Sequence, residues 1–316
     1  MMRFKIYFYP VFILIISQMN GFAQQDPHFT KYMYRNQGLY NPAAVGRTGD
    51  YHVGLAYRLQ WAGIEGAPST FAGNFETSLD ENRAGLGVNF YQDKIGFDNH
   101  ISMQVNYAYR VSFGKKGTLS MGIKGGTQLV FSEFAKAVTP DLPDPLHAGQ
   151  NVWIPRMGAG IMYYTSKWYV SASVPGLVAL IPKSSVRISD DQAYQSKHFY
   201  GSAGYIIDLK KDVLQLKPFV FAKYHPSAPV QVDLGLQFWY KDVFSVGGSY
   251  RTGDAMAAMV EIPVMEGLHF SYAYDYTNSL FRNIGSGAHE VNIEYTWNRK
   301  KPKVPSIHKI SNLPRF

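Results

Sequence analysis

The chain has 316 residues, of which 46% are hydrophobic, 15% aromatic and only 17% charged, and it contains no cysteine. Disulfides, thiol catalysis and cysteine-ligated metal sites are therefore excluded. The formal net charge of +8 comes from the two ends of the chain. Arg3 and Lys5 contribute two positive charges and six Lys and Arg residues in 299–316 contribute the other six, so residues 24–298 are neutral. No basic surface is left for a nucleic acid, so nucleic-acid binding is not predicted.

Residues 1–23 have the features of a secretory signal peptide. The basic start is followed by an apolar run over 6–16, and Gly21 and Ala23 supply the small residues that precede a cleavage site. This run is shorter than the roughly 20 residues that a membrane-spanning helix needs. The sequence therefore predicts export and cleavage after Ala23.

Residues 24–50 form a separate N-terminal segment. Asn41 and Pro42 end a run with helical spacing in this segment. Two placements are open: a periplasmic lead-in to the first strand, or a short plug that enters a lumen. The residues that recur at helical spacing are Phe29, Tyr32, Met33, Asn36 and Tyr40.

Residues 51–298 alternate apolar and polar side chains in short runs. In the clearest run, 101–113, every second residue is apolar, so one face suits hydrocarbon and the other suits water. The sequence therefore predicts an all-β fold, a transmembrane antiparallel up-and-down β-barrel of about 14 strands, within about two. The runs begin near Tyr51, Thr70, Gly85, Ile101, Thr118, Arg156, Lys167, His198, Val213, Val230, Val243, Ala255, Gly267 and His289.

The connections between these runs alternate in length, as expected for an outer-membrane barrel with short periplasmic turns and longer external loops. Two links, 225–229 and 251–254, are shorter than this pattern expects. Short turns are predicted at 80–83, 114–117, 165–167, 209–212, 241–242 and 265–267, and longer links at 60–69, 92–100, 132–155, 175–197 and 277–287.

The polar positions of the strands predict a lumen with charges of both signs. Such a mixture contains no row of like charges that would select cations or anions. The candidate lumen residues are Arg110, Lys124, Gln128, Lys223, Asp233, Glu261, His269, Asp275, Glu290 and Glu294.

Three ordered blocks in the first third of the chain resemble the PorP/SprF family. They are Gln25 to Met33 with Asn41 to Gly46; Tyr57, Arg58, Gln60, Trp61, Gly63, Ile64, Gly66, Ala67, Pro68 and Thr70; and Gly85, Leu86, Gly87, Asp93, Ile95 and Gly96. Members of this family are outer-membrane components of the type IX secretion and gliding machinery of Bacteroidetes. The resemblance implies a role in that secretion system, or in handling a secreted adhesin, and it brings no catalytic residues.

Two groups of residues are candidate contact sites. The predicted external loops carry Arg58, Gln60, Trp61, Ile64, Asp93 and Ile95, which could contact a secreted partner or could only fold the loops over the barrel mouth. The predicted periplasmic tail, 299–316, carries Arg299, Lys300, Lys301 and Lys303, which could dock on an acidic partner or remain solvated.

The leading hypothesis is a non-enzymatic outer-membrane component that assists export or surface attachment of secreted proteins such as adhesins. Its expected partners are the secretion ring or an associated periplasmic lipoprotein, secreted proteins with C-terminal sorting domains, and outer-membrane lipid. The alternative is a passive pore or a channel for hydrophobic substrates. An enzyme is disfavoured because the nine His residues show no accompanying catalytic signature, and no cofactor or metal is predicted.

Overall fold

The protein folds as a closed antiparallel β-barrel. A computed structural model describes residues 29–30, 35–113, 117–132, 151–179, 197–210, 213–226, 228–241, 243–278 and 286–297. The strands are β1 (Tyr51–Leu59), β2 (Ser69–Leu79), β3 (Ala84–Ile95), β4 (Asp98–Phe113), β5 (Gly117–Ser132), β6 (Asn151–Tyr164), β7 (Trp168–Ala179), β8 (Phe199–Tyr205), β9 (Ile207–Lys210), β10 (Leu214–His225), β11 (Ala228–Tyr240), β12 (Phe244–Arg251), β13 (Ala255–Met265), β14 (Leu268–Thr277) and β15 (Ala288–Trp297). Each pairs with its neighbour, and β15 pairs with β1 to close the barrel.

Strands β8 and β9 are two parts of one barrel strand, because both pair with β10. Ile206 separates them, and the pairing of β10 changes from Leu216 with Ile207 to Phe219 with Gly204 around this point. Pro218 of β10 lies in that interval and has no N–H to donate to the ladder, which accounts for the interruption. The described residues therefore form fourteen barrel strands, which confirms the predicted all-β antiparallel barrel.

The barrel has an apolar outer face and a polar inner face. In β4 the alternate residues Met103, Val105 and Tyr107 are exposed on the outside, whereas Gln104 and Asn106 are buried on the inside. Because successive side chains of a strand point to opposite faces, this alternation places the apolar set toward lipid and the polar set toward the lumen.

Aromatic side chains form a row across β15, β1 and β2 at the end where β1 begins. Trp297 stacks on Tyr51 and on Tyr295, with ring centroids 5.4 Å apart in both pairs. Phe75 continues the row, with its centroid 6.3 Å from that of Tyr51. Rings that are apolar on their faces and polar at their edges suit the headgroup region of a bilayer.

The two ends of the barrel differ in their connections. At one end, which we call the turn end, β1 begins, β15 ends, and the links 80–83, 114–116, 165–167, 211–213, 241–243 and 266–267 are short. At the other end, which we call the loop end, the links are 60–68, 96–97, 133–150, 180–198, 226–227, 252–254 and 278–287. Short turns at one end and mostly longer links at the other agree with the predicted architecture.

One predicted long link, 92–100, is not a loop. Strands β3 and β4 continue to Ile95 and Asp98, and Gly96, with a φ of 57°, forms the tight turn with Phe97. The residues around the turn are polar and were therefore expected to lie in a loop. A hairpin that extends beyond the apolar belt has water on its sides, so polar residues there remain compatible with strand pairing.

The helical content of the described residues is limited to short turns. Three 3₁₀ turns cover Gln37–Leu39, Pro42–Ala44 and Asp80–Asn82. No helix in the described ranges is long and apolar enough to cross a membrane.

Candidate functional site

Part of the N-terminal segment lies inside the barrel. Residues 29–30 and 35–48, which we call the lumen segment, are mostly buried, and Phe29 and Thr30 are 1% and 0% exposed. Tyr40 packs on the inner wall, with its ring centroid 4.9 Å from that of Phe221. The Tyr40 hydroxyl donates a 3.3 Å hydrogen bond to Ser202 Oγ. The lumen therefore contains a folded piece of the same chain.

A buried group of charged residues surrounds Thr30. The Thr30 hydroxyl donates to the Asp275 carboxylate at 2.8 Å and accepts from Arg58 at 3.2 Å and from Arg251 at 3.1 Å. The backbone N–H of Thr30 donates to Glu290 Oε2 at 2.5 Å. We call this group, completed by Asp233, the Thr30 cluster.

Every charge in the Thr30 cluster has a partner of opposite sign, with two guanidinium groups facing three carboxylates. Arg58 pairs with Asp275 at 2.7 Å and with Glu290 at 3.4 Å, while Arg251 pairs with Asp275 at 3.1 Å and with Asp233 at 3.0 Å. A buried charge is costly unless it is paired and hydrogen-bonded. Thr30 contributes hydroxyl and backbone N–H hydrogen bonds at the centre of the cluster. The lumen segment therefore helps to stabilise the buried charges of the barrel wall.

A second buried group surrounds Arg35. Its guanidinium lies 2.5 Å from Glu261 Oε1 and 2.7 Å from Glu294 Oε2. The two carboxylates supply the ion pairs and hydrogen bonds that a buried guanidinium needs. The next residue, Asn36, donates to Glu294 at 2.9 Å and contacts His52 Nε2 at 2.7 Å.

The turn from Asn41 to Gly46 fits against a wall of small residues. Asn41 accepts a 2.9 Å hydrogen bond from the Ala43 N–H and caps the 3₁₀ turn that begins at Pro42. A Cβ atom added at Gly122 would collide with the backbone of Pro42 and Ala43, and one added at Gly160 would collide with the Asn41 side chain. Together with Gly85 and Gly87, which face Val45 in the same way, these residues form what we call the glycine wall.

Wall side chains also bind the backbone carbonyls of the lumen segment. Asn89 donates to the carbonyl of Gly38 at 2.7 Å, and Lys124 donates to that of Leu39 at 2.8 Å. A buried carbonyl needs such a donor when it lies outside regular secondary structure. Ser120 likewise donates to Ala43, at 2.6 Å, and Arg110 donates to Val45.

The loop end carries a second feature, a rim of connected backbone. Gln60 N–H donates to the Pro68 carbonyl at 2.9 Å, and Gly96 N–H donates to the Gly66 carbonyl at 3.0 Å. Ala62 N–H donates to Gly287 at 3.0 Å, so link 60–68 is fixed on both sides. We call residues 60–68, 95–98 and 286–287 the loop-end rim.

A family model described as "Type IX secretion system membrane protein PorP/SprF" matches residues 21–295 of this chain. The chain belongs to this family. It is therefore a membrane component of a type IX secretion system, as the three blocks in its first third indicated. A search of curated proteins finds no match.

Solved structures similar to this PorP/SprF-family chain are membrane barrels. The CymD monoaromatic hydrocarbon channel has 13% identity and a TM-score of 0.53, over 83% of this chain and 92% of that chain. CdiB from Acinetobacter baumannii has 7% identity and a TM-score of 0.42, over 78% of this chain, and this chain spans only 60% of its length. The KdgM porin has 8% identity and a TM-score of 0.38, over 78% of this chain and 99% of that chain. The likeness to CymD concerns the fold alone.

The predicted contact residues are divided between the lumen and the rim. Arg58 and Asp93 are buried, at 3% and 5% exposure, and Asp93 accepts a 2.5 Å hydrogen bond from Thr70. In the loop-end rim, Ile95 is 36% exposed, and Gln60, Trp61 and Ile64 are half-buried. Arg299, Lys300, Lys301 and Lys303 lie outside the described residues. Contact of any of these residues with a partner stays a prediction.

The sequence identified much of the lumen wall but not its partners. Arg110, Lys124, Gln128, Asp233, Glu261, Asp275, Glu290 and Glu294 were predicted to face the lumen and are buried there. Arg251, Thr30 and Arg35 were missed. Arg251 was placed in a link, although it continues the inward positions Ser245, Gly247 and Ser249 of β12 with a period of two. That period could have identified it.

Proposed function

We propose that this PorP/SprF-family protein is a non-enzymatic outer-membrane component that assists export or surface attachment of secreted proteins, such as adhesins, through its loop-end rim. The short turns would face the periplasm and the loop end would face the cell exterior, as in other outer-membrane barrels. The protein would thus present contacts at its rim, while the secreted protein crosses the membrane elsewhere in the machinery.

The occupied lumen carries this proposal. The lumen segment is held from the Thr30 cluster to the glycine wall by charged pairs, backbone hydrogen bonds and close packing. A folded secreted domain or an extended chain could pass only if these contacts were broken. A role at the barrel surface therefore agrees better with the contacts than a role as a conduit.

The loop-end rim has the properties of a contact surface. Phe97 is 44% exposed and Ile95 is 36% exposed at the tip of the β3–β4 hairpin, where Ile95 and Asp98 form the last pair of the two strands. The backbone hydrogen bond from Gly96 to Gly66 fixes this tip against link 60–68. A preorganised apolar tip loses little conformational entropy when a partner covers it.

The test is site-specific photo-crosslinking in native cells. A photoreactive amino acid at Phe97, Ile95 or Ile64 is expected to capture a secreted protein that carries a C-terminal sorting domain. The matched control is Ile123, which is 64% exposed on the lipid-facing side of β5, where no such capture is expected. Rim positions that capture neither a secreted protein nor a secretion component would contradict the proposal.

Conductance separates this proposal from the alternative of a passive pore. The purified protein in a planar bilayer is expected to show no steady conductance, because the lumen segment fills the path. Steady conductance by the unaltered protein, together with failure to copurify with secretion components, would favour the pore.

A further inference from the structure

Trp61 in the loop-end rim has a backbone conformation that bulky residues rarely adopt. Its φ is 51°, in the left-handed region, where the β-carbon crowds the following carbonyl oxygen. Glycine adopts this conformation without that cost, because it has no β-carbon. Trp61 is thus the left-handed position of the rim that carries a side chain at a cost in stability. The other rim positions with positive φ are all glycines: Gly63, Gly66, Gly96 and Gly287.

Backbone hydrogen bonds hold Trp61 in this conformation. The Trp61 carbonyl accepts a 3.2 Å hydrogen bond from the Ile64 N–H, and the Ala62 N–H donates to the Gly287 carbonyl at 3.0 Å. The Ala62 carbonyl accepts from both the N–H and the hydroxyl of Ser286, each at 2.9 Å. Because its backbone is fixed on the C-terminal side, the indole has a set direction before any partner arrives.

The fold of link 60–68 does not by itself account for a tryptophan at position 61. A glycine there would make the same backbone hydrogen bonds without the strain. Residues in strained conformations cluster at functional sites, where the strain is offset by the rest of the structure. Trp61 is half-buried, so part of its indole is accessible at the rim. Tryptophan is also among the residue types that most often dominate the binding energy of an interface.

The rim around Trp61 is apolar and acidic. Residues 60–68, 95–98 and 286–287 include Glu65 and Asp98 but no Lys, Arg or His, and both acids are exposed. Lys94 is exposed too, but the alternation of β3 places it on the opposite face of the hairpin from Ile95, which pairs with Asp98. Charge complementarity therefore favours a partner segment with an apolar side chain beside Lys or Arg.

We propose that Trp61 is the main binding residue of the loop-end rim, and that it binds a segment of the secreted protein in which an apolar side chain lies beside Lys or Arg. This inference rests on the proposed function, which brings the secreted protein to the rim. The strain at Trp61 then has a use, because it presents the indole in a fixed direction and reduces the entropy lost on binding.

The test uses the photoreactive amino acid at Phe97 as a reporter of capture. Trp61→Gly is expected to lower capture of the secreted protein by about tenfold or more, as for loss of a residue that dominates a contact. Trp61→Phe keeps an apolar ring and is expected to retain most of the capture. Lys241→Gly is the matched control, because Lys241 has a φ of 48° at the turn end, and its replacement relieves the same strain away from the rim. Its capture is expected to equal that of the unaltered protein.

A stability measurement separates binding from a structural role of the indole. The midpoint of urea unfolding in lipid vesicles is expected to shift alike in Trp61→Gly and Lys241→Gly, since each replaces a strained side chain with glycine. A midpoint of Trp61→Gly clearly below that of Lys241→Gly would show that the indole holds the link in place, and would overturn the inference. Unchanged capture by Trp61→Gly, or equal losses in Trp61→Phe and Trp61→Gly, would overturn it as well.

Substitutions at Glu65 test the charge of the partner segment. Glu65→Lys places a like charge opposite the partner's Lys or Arg and is expected to lower capture several-fold, and Glu65→Gln to lower it less. Capture that is unchanged or increased in Glu65→Lys would contradict a basic partner. If the unaltered protein captures no secreted protein at Phe97, the proposed function itself fails. If it does and Trp61→Gly captures equally well, only this inference fails.

Discussion

The lumen segment is held by two regions that use different physics. Around Thr30, the Arg58 and Arg251 guanidinium groups pair with three buried carboxylates. Against the glycine wall, the turn from Asn41 to Gly46 is neutral and is held by shape and by hydrogen bonds to its backbone. The first region depends on a complete set of charges, and the second depends on the absence of side chains.

This difference predicts how each region fails. Loss of one charge leaves its former partners buried with fewer ion pairs, which is costly even when no atom is displaced. Addition of one methyl group to the glycine wall costs nothing electrostatically but pushes two backbones apart. Substitutions of each kind, with matched controls, therefore test whether the comparison is correct.

The largest effect is expected from Asp275→Ala in the Thr30 cluster. This carboxylate binds Arg58, Arg251 and Thr30, so its removal leaves two buried guanidinium groups with less compensation. Loss of one partner of a buried pair typically costs about 3–5 kcal/mol. The measurement is the free energy of unfolding from urea titrations in lipid vesicles, followed by tryptophan fluorescence.

Asp254→Ala is the control for this substitution. Asp254 pairs with the same Arg251 at 3.2 Å, but its side chain is 31% exposed and solvent screens the pair. Its removal is expected to cost less than about 1 kcal/mol. Equal losses for the two aspartates would show that burial does not govern the Thr30 cluster.

A somewhat smaller effect is expected from Gly122→Val in the glycine wall. The new side chain would meet the backbone of Pro42 and Ala43, which cannot rotate away, so we expect a loss of about 3 kcal/mol, at the upper end for overpacking. Gly125→Val on the same strand is the control, because a Cβ there meets nothing within 4 Å. The same unfolding measurement applies, and equal stability of both variants would contradict close packing at the wall.

The sequence predicts some side chains of the two regions but not the contacts between them. The alternation in 101–113 was sufficient to predict a strand with Arg110 on its inner face, because a period of two follows from strand geometry alone. No local pattern shows that Arg58 pairs with Asp275, because 217 positions separate them and closure of the barrel brings them together. The glycine wall was visible only as scattered glycines, since their shared role depends on the path of the lumen segment.

The polar tip of the β3–β4 hairpin illustrates a different limit. Asp93, Lys94 and Asn99 lie in the stretch that was assigned to a loop, although they pair within the hairpin. The alternation signal arises from lipid on one side and lumen on the other, so it ends where the strands leave the membrane. The alternation therefore cannot predict where strands end once they extend beyond the apolar belt.

Thr30→Val tests the contribution of the lumen segment to the Thr30 cluster. The substitution keeps the shape of the side chain but removes the hydroxyl that contacts Asp275, Arg58 and Arg251. Hydrogen bonds to charged groups make the expected loss about 2 kcal/mol in the unfolding measurement. Thr30→Ser keeps the hydroxyl and is expected to retain most of the stability. If both variants lose the same amount, packing rather than polar contact holds the cluster.

The smallest effect is expected from Asn41→Ala at the glycine wall. Asn41 accepts from the Ala43 N–H at 2.9 Å and donates to the Ile161 carbonyl at 3.3 Å. Loss of such a cap typically costs about 1 kcal/mol, while the shape of the turn against Gly122 is retained. Asn41→Ser keeps a cap acceptor and is expected to recover most of the loss in the same titration. A loss as large as that of Asp275→Ala would mean that the neutral region depends on polar contact as strongly as the charged one, and the contrast between the two regions would fail.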